Sequence, residues 1–209
     1  KNILITHHHF DHTGGIEDLS KNFDCDVYGP EGDHINGITK TLSEGDQFQI
    51  SNTTFHVLST PGHTLDHLSF FTNDKQPLLF SGDTLFFGGC GRLFEGTPQQ
   101  MFQSLSKFSE LPPDTQVFCG HEYTESNLNF AAEVEPYNAE LSNKLDEVRE
   151  LREKDKITLP SSIATELNVN PFMRCKEAGV IKAAQEYSQT NVSQGDEVLE
   201  VIRNWKDNF

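Results

Sequence analysis

Seven consecutive residues, Thr6-His7-His8-His9-Phe10-Asp11-His12, constrain this chain more than any other feature. Imidazole and carboxylate are donors for divalent metals of intermediate hardness, and four of them (His7, His9, Asp11, His12) fall within six residues. A helix could not aim all four at one point. A loop can, and the apolar run Lys1–Thr6 ahead of it predicts a buried strand ending in such a loop. An affinity tag would be a uniform histidine run at a terminus without the interleaved Asp11. Three later segments repeat the pattern of a polar residue placed at a strand end by a glycine: Gly62-His63 after 53–59, Gly82-Asp83 after 78–81, and Gly120-His121 after 117–119. Five histidines and two aspartates result, enough for two metals sharing one carboxylate.

The first 121 residues read as strands and turns, with further strands predicted at 25–28 and 68–72 and a short helix from Gly14 to Asn22. A longer helix starts at Thr97-Pro98-Gln99-Gln100, where Thr97 caps, Pro98 suits the first helical position and Gln100 completes a capping box. Met101, Phe102, Leu105 and Phe108 form its apolar face, and Pro112-Pro113 end it. After His121 the texture turns helical: Leu141, Leu145, Val148 and Leu151 recur at helical spacing, and 180–187 and 198–205 read as helices. The expected organisation is an α/β metal-binding domain over 1–121 and a helical domain over 122–209. The charge balance, 16 basic against 32 acidic residues for a net −16, repels phosphate backbones and anionic headgroups, so neither nucleic acid nor membrane is expected as a partner. Four cysteines without a CxxC pair point to reduced thiols and a cytoplasmic setting, with an organellar matrix also compatible.

The order of these motifs resembles that of the metallo-β-lactamase superfamily, and the sequence is most similar to glyoxalase II, the hydroxyacylglutathione hydrolases. The stretches Gly88-Gly89-Cys90-Gly91-Arg92-Leu93-Phe94-Glu95-Gly96-Thr97 and Asn170-Pro171-Phe172-Met173-Arg174 both resemble that family, and the likeness extends through the helical tail. The resemblance implies an αββα sandwich with a C-terminal helical domain over the site. It implies one metal on His7, His9 and His63, a second on Asp11, His12 and His121, and Asp83 between them. Asp11 and Asp83 would also be the catalytic carboxylates, Asp11 orienting the attacking hydroxide. Zinc is the first expectation, although such donors accept iron and manganese too. The resemblance further implies strands of the first sheet ahead of Thr6, where this chain carries about five residues. His8 is not a ligand in the family pattern. His67 is expected to pack or hydrogen-bond nearby, and His34 and His56 to be ordinary surface or strand residues.

Two divalent ions lower the pKa of a shared water, and one can polarise a carbonyl. A thiol with a pKa of about 8.5 then leaves as thiolate without a dedicated acid, which favours a thioester over an amide. The implied reaction is hydrolysis of S-D-lactoylglutathione to glutathione and a 2-hydroxy acid, the second step of methylglyoxal detoxification, by a hydroxide shared between the metals. The implied glutathione contacts are Arg92, Phe94, Tyr123, Arg203 and Lys206. Arg203 and Lys206 lie three apart on one helix, so they could clamp a carboxylate together. Phe94 lacks the hydroxyl of members with Tyr there. Arg174 reads as a structural tie and Cys90 as a packing residue. The competing readings are a persulfide dioxygenase-like enzyme with one iron, expected to lack the long helical ending, and a truncated, catalytically silent metal- or glutathione-binding form. A monomer is expected.

Overall fold

The structure, a computed structural model, describes residues 1–32 and 34–209. β1 (Asn2–Leu4) is the apolar run before the histidine motif, and Ile5 extends its pairing by donating to the Tyr28 carbonyl at 2.8 Å. Two short helices, α1 (Phe10–Thr13) and α2 (Ile16–Asn22), lead to β2 (Asp26–Pro30) and β3 (Lys40–Leu42). These three strands form a parallel sheet in the order β1-β2-β3. β4 (Gln47–Ile50), β5 (Thr53–Ser59), β6 (Leu68–Thr72) and β7 (Leu78–Gly82) then run as an antiparallel meander. β8 (Leu85–Phe86) and β9 (Gly89–Cys90) make a separate two-stranded ribbon, followed by α3 (Pro98–Ser109) and β10 (Gln116–Cys119), which joins β7 in parallel. The chain continues through α4 (Thr124–Val134), α5 (Ala139–Glu153), β11 (Ser161–Ser162), α6 (Ile163–Val169), α7 (Ala178–Ser188) and α8 (Gly195–Asp207). The second sheet has the order β11-β10-β7-β6-β5-β4.

Strand alternation sorts side chains into layers. In β5, Val57 faces the small sheet while Leu58 faces the helices; in β7, Phe80 and Leu79 divide in the same way. Phe55, Val57, Leu68 and Phe70 meet Leu4, Tyr28 and Leu42 between the sheets, and Ile16 of α2 packs with Ile5 and Val27 on the outer face of the small sheet. Met101, Leu105 and Phe108 of α3 cover the other face of the large sheet. The result is the expected αββα sandwich. The capping box of α3 is present, with the Gln100 amide donating to Thr97 Oγ1 at 3.2 Å and the Thr97 amide to Gln100 Oε1 at 2.9 Å.

The helical tail shares the sandwich's core. Phe130, Ile163, Phe172, Val180, Val198 and Ile202 pack in one cluster with Leu79, Leu85 and Phe108, and β11 adds a strand to the large sheet. The helices expected around 141–151, 180–187 and 198–205 appear as α5, α7 and α8. By contrast β3, β4, β11, α4 and α6 carry no pattern that announces them: the strands are short and partly exposed, and α6 is held by its neighbours more than by its own seven residues.

Candidate metal centre and substrate pocket

The loop after β1 and the short helix α1, which carries Asp11 and His12 where the sequence pattern predicts a loop alone, bring the Thr6–His12 segment under the end of the large sheet, so that side chains from four segments converge. His7 is fully buried. His9 Nδ1 lies 3.1 Å from His63 Nε2. His12 Nε2 is 3.4 Å from Asp11 Oδ2 and 3.4 Å from Asp83 Oδ1, while His121 Nε2 is 3.2 Å from Asp11 Oδ2 and 3.4 Å from Asp83 Oδ2. His63 Nε2 stands 3.6 Å from Asp83 Oδ2. Donor atoms fall within 4.8 Å of one another in three groups: His7, His9 and His63; His7, His12 and Asp83; Asp11, His12 and His121. Asp83 thus stands between the two triads that the sequence resemblance implied.

Two of the glycines ahead of these residues have different reasons to be glycine. Gly82 adopts φ +51, and a Cβ there would also meet His67 Nε2 at 2.6 Å. Gly120 has no such backbone constraint; a Cβ would lie 2.3 Å from Asp83 Oδ1, so the backbone must be bare for the carboxylate to fit.

Neighbouring groups set the ring tautomers. His63 Nδ1 donates to the Arg92 carbonyl at 2.9 Å, which leaves Nε2 with its lone pair toward the centre. His67, also fully buried, accepts the Asp83 amide on Nε2 at 3.0 Å and meets the hydroxyls of Thr60 and Thr84 with Nδ1. Burial, with the nearby His63 adding to it, pushes its pKa down to about 3, so His67 is a neutral support for Asp83. Burial likewise holds His7 far below the ordinary imidazole range, with the surrounding histidines adding to the effect. At Asp83 burial opposes ionisation, yet His12, His121 and His63 outweigh it and keep the carboxyl below its usual range.

The donor set fits divalent metal. His7 Nε2, His12 Nε2 and Asp83 Oδ1 are buried without a hydrogen-bond partner, an arrangement that costs stability unless something else occupies their lone pairs. A neighbouring cluster makes the contrast. His8, His34 and Asp66 also bring donors within 4.8 Å, but Asp66 already accepts from the Thr64 hydroxyl at 2.6 Å and pairs with His8 at 3.0 Å and His34 at 2.9 Å. His8 meets Glu95 at 3.2 Å through its other nitrogen. Those groups satisfy one another and brace the ligand loop. His34, expected as an ordinary surface residue, is part of this brace.

Above the centre lies a cavity of about 670 Å³, and all five residues expected to hold glutathione line it. Phe94 packs in T-shaped contact with His9 and His63, and Tyr123 stacks on His121 with centroids 5.2 Å apart. Lys206 places Nζ over the Phe130 ring at 5.0 Å and has no ion-pair partner among the described residues. Burial, with Arg203 adding to it, lowers its pKa to about 8. Arg203 is engaged more fully than its spacing from Lys206 suggested. It is buried, donating from Nη1 to the Cys90 carbonyl at 2.8 Å and from Nη2 to Asp207 at 3.0 Å. Asp207 also pairs with Arg92 Nε at 3.3 Å, which joins the two sides of the cavity. Sequence reasoning missed Asp207, although it lies four residues after Arg203 on one helix, the spacing of an ion pair. Phe86 and Asn127 also line the cavity without any prior signal. Arg174 forms a bidentate pair with Glu135, as a structural tie should. Burial raises the pKa of the Cys90 thiol, which suits packing and not nucleophilic attack.

Residues 1–121 match the metallo-beta-lactamase superfamily and residues 122–209 the C-terminal region of hydroxyacylglutathione hydrolase. A curated hydroxyacylglutathione hydrolase from Idiomarina loihiensis is 52% identical over 206 residues, covering 99% of this chain and 80% of the relative. The chain belongs to the hydroxyacylglutathione hydrolase family. A second member, from Ectopseudomonas mendocina, is 50% identical over 207 residues with the same coverage, so the chain spans about 80% of the length of these relatives. Among solved structures, ETHE1 from Myxococcus xanthus superposes with a TM-score of 0.64 over 98% of this chain and 69% of that one, at 24% identity, a likeness of fold. TTHA1623 in a di-iron-bound form gives 0.56 at 26% identity, covering 82% of this chain and 76% of that one. Family membership carries the capacity for divalent metal to the His/Asp groups above. No helix among the described residues is long and apolar enough to cross a membrane.

Proposed function

We propose that the cavity hydrolyses S-D-lactoylglutathione, releasing glutathione and a 2-hydroxy acid. The chain is a hydroxyacylglutathione hydrolase, and glyoxalase II thioester hydrolysis is the activity that its curated relatives' identity supports. The observation that carries the substrate reading is a cavity whose floor presents His9, Asp11, His63, Asp83 and His121, with His7 buried and His12 partly buried directly behind them, and whose wall presents Arg92, Tyr123 and Lys206. The mono-iron dioxygenase reading is not favoured: the helical ending it was expected to lack matches the hydroxyacylglutathione hydrolase C-terminus.

In this reading His7, His9 and His63 hold one divalent ion and Asp11, His12 and His121 a second, with Asp83 shared; the di-iron relative and the shared carboxylate's position support a count of two. Zinc is the first choice, and iron and manganese suit the same donors. Bound there, the ions supply Lewis acidity, lowering the pKa of water and polarising the thioester carbonyl. The protein's own side chains do the rest. Asp11, more than half exposed at the cavity floor, accepts a proton or hydrogen bond from the incoming water and orients it. Lys206 and Arg92 attract the carboxylates of the glutathione half, Tyr123 offers its hydroxyl, and Phe94 covers the rings of His9 and His63 against solvent. The thiolate needs no protonating residue. Residues 1–121 thus act as the metal-binding part and 122–209 as the glutathione-binding part. A monomer in the cytoplasm, without nucleic-acid or membrane partners, fits the strong negative charge.

The test is turnover of S-D-lactoylglutathione by metal-loaded and chelated protein, with metal counted per chain. Turnover that requires metal, at two ions per chain, is the expected result. A folded two-metal sample without turnover would overturn the substrate, and full activity at one ion per chain would overturn the count.

A further inference from the structure

The β8–β9 ribbon pairs only Leu85 with Cys90 and Phe86 with Gly89, too little to hold its own shape. Yet it carries two parts of the substrate wall. The Phe86 ring lies 5.3 Å from Tyr123 and 6.1 Å from His121, and the Cys90 carbonyl receives Arg203. Its turn is held from beneath by buried polar side chains of the helical part. Glu166 Oε2 accepts the Gly88 amide at 3.0 Å and Asn170 Nδ2 at 2.9 Å. Asn170 Nδ2 also donates to the Gly89 carbonyl at 3.0 Å, and Asn127 Nδ2 donates to that of Phe87 at 3.0 Å. Gly88 has φ +70 and no room for a Cβ, since Leu128 would lie 2.6 Å away, so the turn has one shape available.

We propose that Glu166 is a positioning residue for the thioesterase: as acceptor for Gly88 and Asn170 it holds the ribbon, and through Phe86 and Cys90 the wall residues Tyr123 and Arg203, in the geometry that binds the glutathione half. Glu166 touches neither the cavity nor the metal donors. A fully buried carboxyl is costly, and its Oε1 has no hydrogen-bond partner. Burial raises its pKa to about 7. Within a core built mainly from apolar residues, Asn127, Asn170 and Glu166 gather beneath the ribbon's turn, and Glu166 alone of the three supplies an acceptor to its Gly88 amide.

The inference rests on the proposed thioesterase for its kinetic arm, and amide exchange judges it independently. Glu166→Ala is expected to raise KM for S-D-lactoylglutathione about tenfold, with kcat within about twofold and metal content unchanged. Glu166→Gln keeps a carbonyl acceptor and is expected to restore KM to within about twofold of the parent. Hydrogen exchange over 85–90 should be fast in the Ala variant and slow in the parent and Gln variant, whether or not the parent turns over this substrate. Unchanged exchange and KM in Glu166→Ala would overturn the proposal, as would a Gln variant as impaired as the Ala variant. If the Ala variant does not fold, Glu166→Asp makes the same test, because it retains the carboxyl group but is one methylene short of Gly88. Parental KM and exchange in that variant would overturn the proposal.

Discussion

At and just beneath the floor of the cavity, His7, His12 and Asp83 keep three buried polar atoms without hydrogen-bond partners, whereas on the wall Arg92 and Arg203 are already joined through Asp207 and only Arg203 Nε is left buried without one. The floor is poised to be completed by a ligand the chain does not contain. The wall is largely completed by the chain itself, with Lys206 as the cation left over. Beside both, His8, His34 and Asp66 also bring donors together, but there the carboxylate is already engaged by Thr64, His8 and His34. What separates them is whether the donors have already found one another.

Removing Asp83, the carboxylate we propose to be shared, should break the floor most severely. Asp83→Ala is expected to lose both metal occupancy and turnover, by about a thousandfold or more in kcat/KM, measured by metal analysis alongside kinetics. Retained activity would remove Asp83 from the centre of the comparison.

Glu166, under the wall, gives an effect on stability with a definite sign. Its folded-state pKa of about 7 exceeds the ordinary 4.5, so the folded chain holds this proton at pH values where the unfolded chain has lost it. Its contribution is present in full below pH 4.5 and is lost as pH rises through about 7, a decline of about 3 kcal/mol at most. Glu166→Gln should abolish that component. Urea unfolding of parent and variant at pH 5 and pH 8 is expected to show the parent losing stability relative to the variant on going to pH 8.

The wall's unpaired cation sharpens the contrast at smaller scale. Lys206→Ala should raise KM about tenfold while leaving metal content and kcat nearly unchanged, since it removes a charged contact to substrate and nothing at the floor. The smallest effect belongs to the brace. Asp66→Asn is expected to leave the metal count per chain unaltered, with a stability loss of about 1 kcal/mol from weaker pairing to His8 and His34. A lower count would show that the brace belongs to the floor after all.

Much of the floor can be read along the chain because each donor comes from a short strand–turn unit. Thr6–His12, Gly62-His63, Gly82-Asp83 and Gly120-His121 each declare donor and turn together. The α3 capping box is local for the same reason. The ribbon, α6 and β11 were hidden, since their stability comes from partners far away: Glu166 reaches Gly88 across 78 residues. The spacing of Arg203 from Lys206 predicts a shared clamp, but both terminal nitrogens of its guanidinium are engaged elsewhere, by the Cys90 carbonyl 113 residues earlier and by Asp207.

The sequence by itself determined the donor types, their order and the strands that carry them, because those follow from side-chain chemistry and periodicity over a few residues. Only the tertiary structure decided which polar groups stay free and which are consumed. That outcome depends on burial and on competition among hydrogen-bond partners brought together by folding: it leaves His7, His12 and Asp83 with unpartnered atoms and Lys206 without an ion pair among the described residues, satisfies Asp66, and turns Arg203 into part of the wall.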